Sequence, residues 1–173
     1  MYSIIPGILQ NNELKIDNSI VQFLDGQSHQ SSYFRFSTEQ FRSTEEYFYA
    51  EVDKNNFHSR GIHLNLRAKE TKIQGEIQFG KLLPWPVSLL SPGIMGWYAF
   101  TPFMQFYLGG VSMDHSFTGS LTIIGEQINF DGGRGYIEKD WGRSFPSSYV
   151  WLQCNHFETE GVCLSGTEAK KHS

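Results

Sequence analysis

The chain has 173 residues, of which 39% are hydrophobic, 15% aromatic and 18% charged, and its formal net charge is −4. That length is enough to bury one sizeable core. An acidic chain without a basic run lacks the stripe that nucleic-acid binders place on phosphates, so no nucleic-acid partner is expected. No stretch approaches the ~18 apolar residues needed to span a bilayer, and no secretory leader is recognisable, so the expected location is cytoplasmic, with membrane association left open. Cys154 and Cys163 are spaced neither as a zinc ribbon nor as a redox pair. Reduced thiols are expected, with Cys154 as a small buried hydrophobe.

In chain order, residues 4–8 read like the middle of a β protein, and 20–24 and 32–36 read as strands. Residues 37–46 predict one or two helical turns, with Ser37 as N-cap and Gln40 completing a capping box. Another strand is expected at 47–52. In Ile62-His63-Leu64-Asn65-Leu66-Arg67 apolar and polar residues alternate, as in a half-buried strand. Residues 73–79 do the same, with Gly75 marking a bulge or a close backbone approach. The polar residues 68–71 join the two runs as an antiparallel hairpin.

Pro84, Pro86 and Pro92 stiffen the following connection as a candidate cavity rim, and Pro102 interrupts the apolar run 95–106. Strands are expected at 106–113, 120–124, 127–130, 135–138 and 149–157, and near Val162 before a polar tail. Gly125-Glu126 is expected to form a type II′ turn. Many short strands at hairpin spacing predict an all-β, antiparallel barrel or sandwich.

The densest chemistry lies in residues 132–146. If 136–140 is extended, Tyr136, Glu138 and Asp140 share one face. Two carboxylates on one apolar face repel, so one could stay protonated and act as a general acid. The other reading is a structural ion-pair network in which Arg134, Lys139 and Arg143 neutralise them. On the next strand Val150, Leu152 and Cys154 predict a core face. Tyr149, Trp151, Gln153 and Asn155 suit either a cavity wall for an apolar ligand or a surface covered by another domain. His58 and His63 would fall on opposite faces of one strand and could not easily share a metal, so none is expected. Asp114-His115 lacks a nucleophile elbow and reads as polar surface rather than a hydrolase site.

The run Tyr136-Ile137-Glu138-Lys139-Asp140-Trp141-Gly142-Arg143-Ser144-Phe145-Pro146, followed by Trp151-Leu152-Gln153-Cys154-Asn155, resembles the signature of tocopherol cyclases. Residues 90–97 and 112–115 resemble the bacterial branch, and Asp near Trp-Gly is similar to the wider lipocalin-like group of carotenoid hydratases. The resemblance implies a lipocalin-like fold forming one half of a two-domain architecture, with a β domain at 1–145 and, at 146–173, either the start of a second, truncated β domain or a closing strand. It implies a cofactor-free cyclase that closes a chromanol ring on a prenylated hydroquinone by protonating an alkene. Glu138 or Asp140 would supply the acid. Tyr136, Trp141, Trp151 and Trp97 would supply aromatic faces, while Gln153 and Asn155 orient quinol hydroxyls.

The family pattern predicts an acidic residue near 105 and a histidine near 108, where this chain has Gln105 and Leu108. The alternative is a non-catalytic binder of an apolar isoprenoid, or an inactive truncated homologue. Expected partners are an apolar ligand such as a prenyl quinol, a membrane surface touched peripherally, and a second copy covering an open sheet edge.

Overall fold

A computed structural model describes residues 1–69, 71–89, 91–102, 104, 106–144, 147–159 and 161–170. Leu90, Gln105, Phe145, Pro146 and the end of the polar tail lie outside the described residues. Among the described residues, thirteen strands, all paired antiparallel where register is defined, and two short 3-10 turns make up the regular structure. The expectation of an all-β fold is met. No helix among the described residues is long and apolar enough to cross a membrane.

The chain divides into two compact units, each discontinuous in sequence. The first holds Met1–Phe79 and Thr118–Asp131; the second holds Gly80–Phe117 and Gly132–Ser173.

In the first unit β1 (Tyr2–Asn11), β2 (Ile16–Asp25) and β3 (Gln30–Phe36) form a meander. Pro6 sits in β1, an edge strand of this meander among the described residues, where a residue without an N–H is tolerated. After the 3-10 turn Thr38–Gln40 come β4 (Phe41–Ser43), β5 (Tyr49–Val52), β6 (Asn55–His58), β7 (Gly61–Arg67) and β8 (Lys72–Phe79). Next is β9 (Phe106–Ile123), whose last residues lie in this unit, and then β10 (Glu126–Asn129). These pair in the order β10-β9-β8-β7-β6-β5-β4, an open path rather than a closed ring among the described residues.

The capping box forms as expected: Ser37 N–H donates to Gln40 Oε1 at 3.1 Å, and the Ser37 hydroxyl accepts from the turn. The helix stops after one turn because Phe41 already pairs with Val52 in β5.

The alternation in β7 and β8 buries Leu64, Leu66, Ile73 and Ile77 with Val21, Phe34, Val52, Phe57 and Leu121. Buried Asn55 satisfies its amide by donating to Val52 C=O at 2.9 Å and accepting from Asn65 N–H at 2.8 Å. At Gly75 the close approach is real. Its φ is +137°, and an added Cβ would lie 2.4 Å from the Ser120 carbonyl oxygen.

The turn after β9 corrects the expectation. Ile123 pairs with Glu126, so the central residues are Ile124 and Gly125, with φ of 52° and 88°. Two positive φ values belong to a type I′ turn, whose twist matches that of the flanking strands. A β-branched residue is strained there. Ile124 is 62% exposed and loses little packing on replacement. Ile124→Asn is therefore expected to raise stability by about 1 kcal/mol. A lower thermal midpoint in the variant would contradict this.

Candidate active site

The second unit is built on β11 (Gly133–Gly142), which pairs with the first part of β9. Gly135 faces His115, but Ile137 faces Ser112 and Glu138 faces Gly110, so the register slips on both sides of Ile137. Such bulges re-aim side chains. Tyr136 and Glu138 emerge on one face, and the phenol donates to Glu138 Oε2 at 2.9 Å. Trp141 is directed elsewhere: it stacks on Tyr107 with centroids 5.6 Å apart, beneath Lys139 Nζ at 5.8 Å.

Strand β12 (Ser148–Cys154) pairs with β13 (Leu164–Lys170). The Trp151 ring lies 6.1 Å from that of Tyr136. Gln153 Nε2 is buried without a hydrogen-bond partner, and Asn155 is buried. The predicted core face of β12 is overturned, because Val150 is 64% exposed and Leu152 46%. The opposite face is open as well, since Trp151 is 40% exposed, and burial sets in only toward the end of the strand, at Gln153, Cys154 and the following Asn155. Trp97, in the 3-10 turn Gly96–Phe100, is exposed and packs on Phe100 at 5.9 Å. The structure thus joins Tyr136, Glu138 and Trp151, and leaves Trp141, Trp97 and Asn155 with other partners.

Burial raises the Glu138 pKa above its ordinary value, while the hydrogen bonds with Tyr136 and Trp151 oppose the rise. Asp140 is exposed at its surface, yet the surrounding protein strips enough water to push it up to about 6, helped by the Glu138 charge. The Tyr136 phenol is also raised, chiefly by burial, and stays a donor. Among the described residues neither carboxylate has an ion pair. The ion-pair reading fails for Arg134, which is committed to Asp114.

That pair belongs to a cluster the sequence reading missed. Asp114 and His115, expected at the surface, are 6% and 4% exposed. Arg134 Nε donates to Asp114 Oδ1 at 3.0 Å, and its Nη2 donates to Oδ2. Asn155 Nδ2 donates to Asp114 Oδ1 at 3.2 Å and to Gly135 C=O at 2.9 Å.

The Ser112 hydroxyl donates to Asp114 C=O at 2.9 Å and accepts from Leu83 N–H at 3.2 Å. Its remaining contact, His115 Nδ1 at 3.1 Å, is then met by a proton on that nitrogen. Burial lowers the His115 pKa to about 4, so the ring is neutral. Gly135 lies under the imidazole, where a Cβ would sit 2.4 Å from Nε2. An Asp and an Arg on strands that pair with each other were the available signal.

His58 and His63 occupy β6 and β7 rather than one strand. His58 Nδ1 accepts from Arg60 N–H at 3.1 Å, and His63 Nδ1 lies 3.0 Å from Glu76 Oε1. No cluster of metal-ligating side chains occurs among the described residues.

Residues 85–171 match the family model described as tocopherol cyclase-like. The chain belongs to the tocopherol cyclase-like family. It is 37% identical over 67 residues to the probable chloroplastic tocopherol cyclase of Oryza sativa subsp. japonica. It is 36% identical over 62 residues to the chloroplastic tocopherol cyclase of Zea mays. Each match covers 36% of this chain and 13% of the relative. No solved structure matches. The tocopherol cyclase-like segment contains Glu138, Asp140 and Trp151 and also the Asp114 cluster.

Proposed function

We propose that this chain carries the acid of a cyclase that forms a chromanol ring on a prenylated hydroquinone. The observation behind this reading is Glu138, a half-buried carboxyl with raised proton affinity that accepts from the Tyr136 phenol beside Trp151 and has no ion pair among the described residues. Protonated Glu138 gives its proton to the less substituted carbon of the prenyl alkene, leaving a tertiary cation. The phenolic oxygen attacks that cation, the C–O bond forms, and the phenolic proton returns to the Glu138 carboxylate. Substrate and product are isomers, so no cofactor is consumed.

Tyr136 and Trp151 offer π density to the cation, and the unpartnered Gln153 amide is a donor for a quinol oxygen. Asp140 adds a second carboxyl whose charge discourages ionisation of its neighbour. The remaining partners belong to the same proposal: a membrane surface that supplies the prenyl lipid, and a second copy along an open edge.

The test supplies a prenyl hydroquinone to the purified protein and measures chromanol by mass spectrometry. Wild type is expected to form product, and Glu138→Gln to bind quinol without converting it. Unchanged product in both Glu138→Gln and Asp140→Asn would reject the acid assignment. Quinol retention without any chromanol from wild type would leave the non-catalytic binder.

A further inference from the structure

We infer that Asp114, Arg134 and Asn155 form a positioning cluster that seats β12 on β11 so that the Trp151 ring packs against Tyr136, the residue that donates to Glu138. Its bearing on turnover rests on the reading of Glu138 as the acid; its bearing on geometry does not.

Strand β12 takes its backbone pairing from β13, and no pairing with β11 occurs among the described residues. Side chains make the join. Asn155, the residue just after β12, holds the Gly135 carbonyl at 2.9 Å, one residue before Tyr136 and at the edge of the bulge. Trp151, on β12, brings its ring to 6.1 Å from that of Tyr136, whose phenol donates to Glu138.

The join is fixed in direction because Asn155 also donates to Asp114, itself clamped by Arg134 from β11 and carried on the paired strand β9. Two paired strands and the residue just after β12 thus meet at one carboxylate. Apolar contacts could hold β12 down as firmly, but they would not set which residue of β12 lies opposite Gly135. Directional bonds to a buried charge do, and fixing register is the best-attested use of such groups. With β12 displaced, Tyr136 would lose the Trp151 ring and the Glu138 carboxyl would lose the cover that dries it.

The test is Asn155→Asp, which keeps the shape, removes the donor and sets a second acidic group against Asp114. Asn155→Ser, whose hydroxyl is too short to reach both acceptors, is the second variant and decides the matter if the first does not fold. The primary readout is the titration of the Glu138 carboxyl by carbon-13 NMR, assigned by its loss in Glu138→Gln. In a folded variant the Glu138 pKa is expected to fall toward that of an exposed carboxyl. The exchange Asp114→Asn with Asn155→Asp, which restores a donor–acceptor pair, should recover part of the shift. Turnover should fall at least tenfold through kcat with KM little changed.

An unaltered Glu138 titration in a folded Asn155 variant overturns the proposal. A shifted titration in a protein that makes no chromanol supports the positioning role and rejects the enzymatic reading. Chromanol formation with titration and kcat untouched by either variant does the reverse.

Discussion

Replacing Arg134 with methionine is expected to lower the stability of the protein by about 3–5 kcal/mol. The variant leaves Asp114 buried with one amide donor in place of a bidentate guanidinium. A carboxylate in that setting must either stay charged without a counter-ion or take up a proton, and both cost free energy. Methionine fills much of the arginine stem's volume, so packing accounts for little of the loss. Urea denaturation of Arg134→Met, of Asp114→Asn and of the double variant separates the terms. The double variant should lose less than the two single losses added, because removing both charges removes the unpaired one. A loss below about 1 kcal/mol in Arg134→Met would place this pair among screened surface contacts instead.

Turnover by Glu138→Gln is expected to fall by about 10²–10⁴-fold, the usual span for loss of a general acid. Glutamine keeps the size and can still accept from Tyr136, so the proton is the principal thing lost. The pH profile gives the second signature. A general acid works protonated, so the rate is flat below its pKa and declines above it. Burial raises the Glu138 pKa, which moves the declining limb to higher pH than a free carboxyl would give.

Asp140, pushed up to about 6, ionises near that pH and adds a negative charge beside Glu138. Asp140→Asn should shift the limb to lower pH. The sign for stability follows from proton uptake. Between 3.8 and about 6 the folded Asp140 retains a proton that the unfolded chain has released. Raising pH through that window therefore favours unfolding, and Asp140→Asn removes this component. A limb that does not move in Asp140→Asn would separate the two carboxyls.

The β character was legible because Leu64, Leu66, Ile73 and Ile77 alternate so regularly that period and burial carry the same information. The shared face of Tyr136 and Glu138 was legible for the same reason, even though a bulge intervenes. Three features were not. The Ile124-Gly125 turn was hidden because a β-branched residue seldom accepts positive φ, and here the pairing of β9 with β10 overrides that preference. The exposure of β12 was hidden because apolar residues suggest a core, whereas this strand pairs with β13 and stays exposed as far as Leu152. The Asp114 cluster was hidden because its partners lie 20 and 41 residues away, beyond any local spacing rule.

The interleaving of the two units in sequence has a consequence for biosynthesis. Neither unit is one uninterrupted piece of chain, so no single cut can release either of them whole. As the polypeptide leaves the ribosome, Asp114 emerges before Arg134, and Asn155 follows later still. Until then the aspartate must remain hydrated, and the second unit cannot close its polar centre. A nascent chain arrested before residue 155 would hold β9 and β11 without the amide that ties β12 to them.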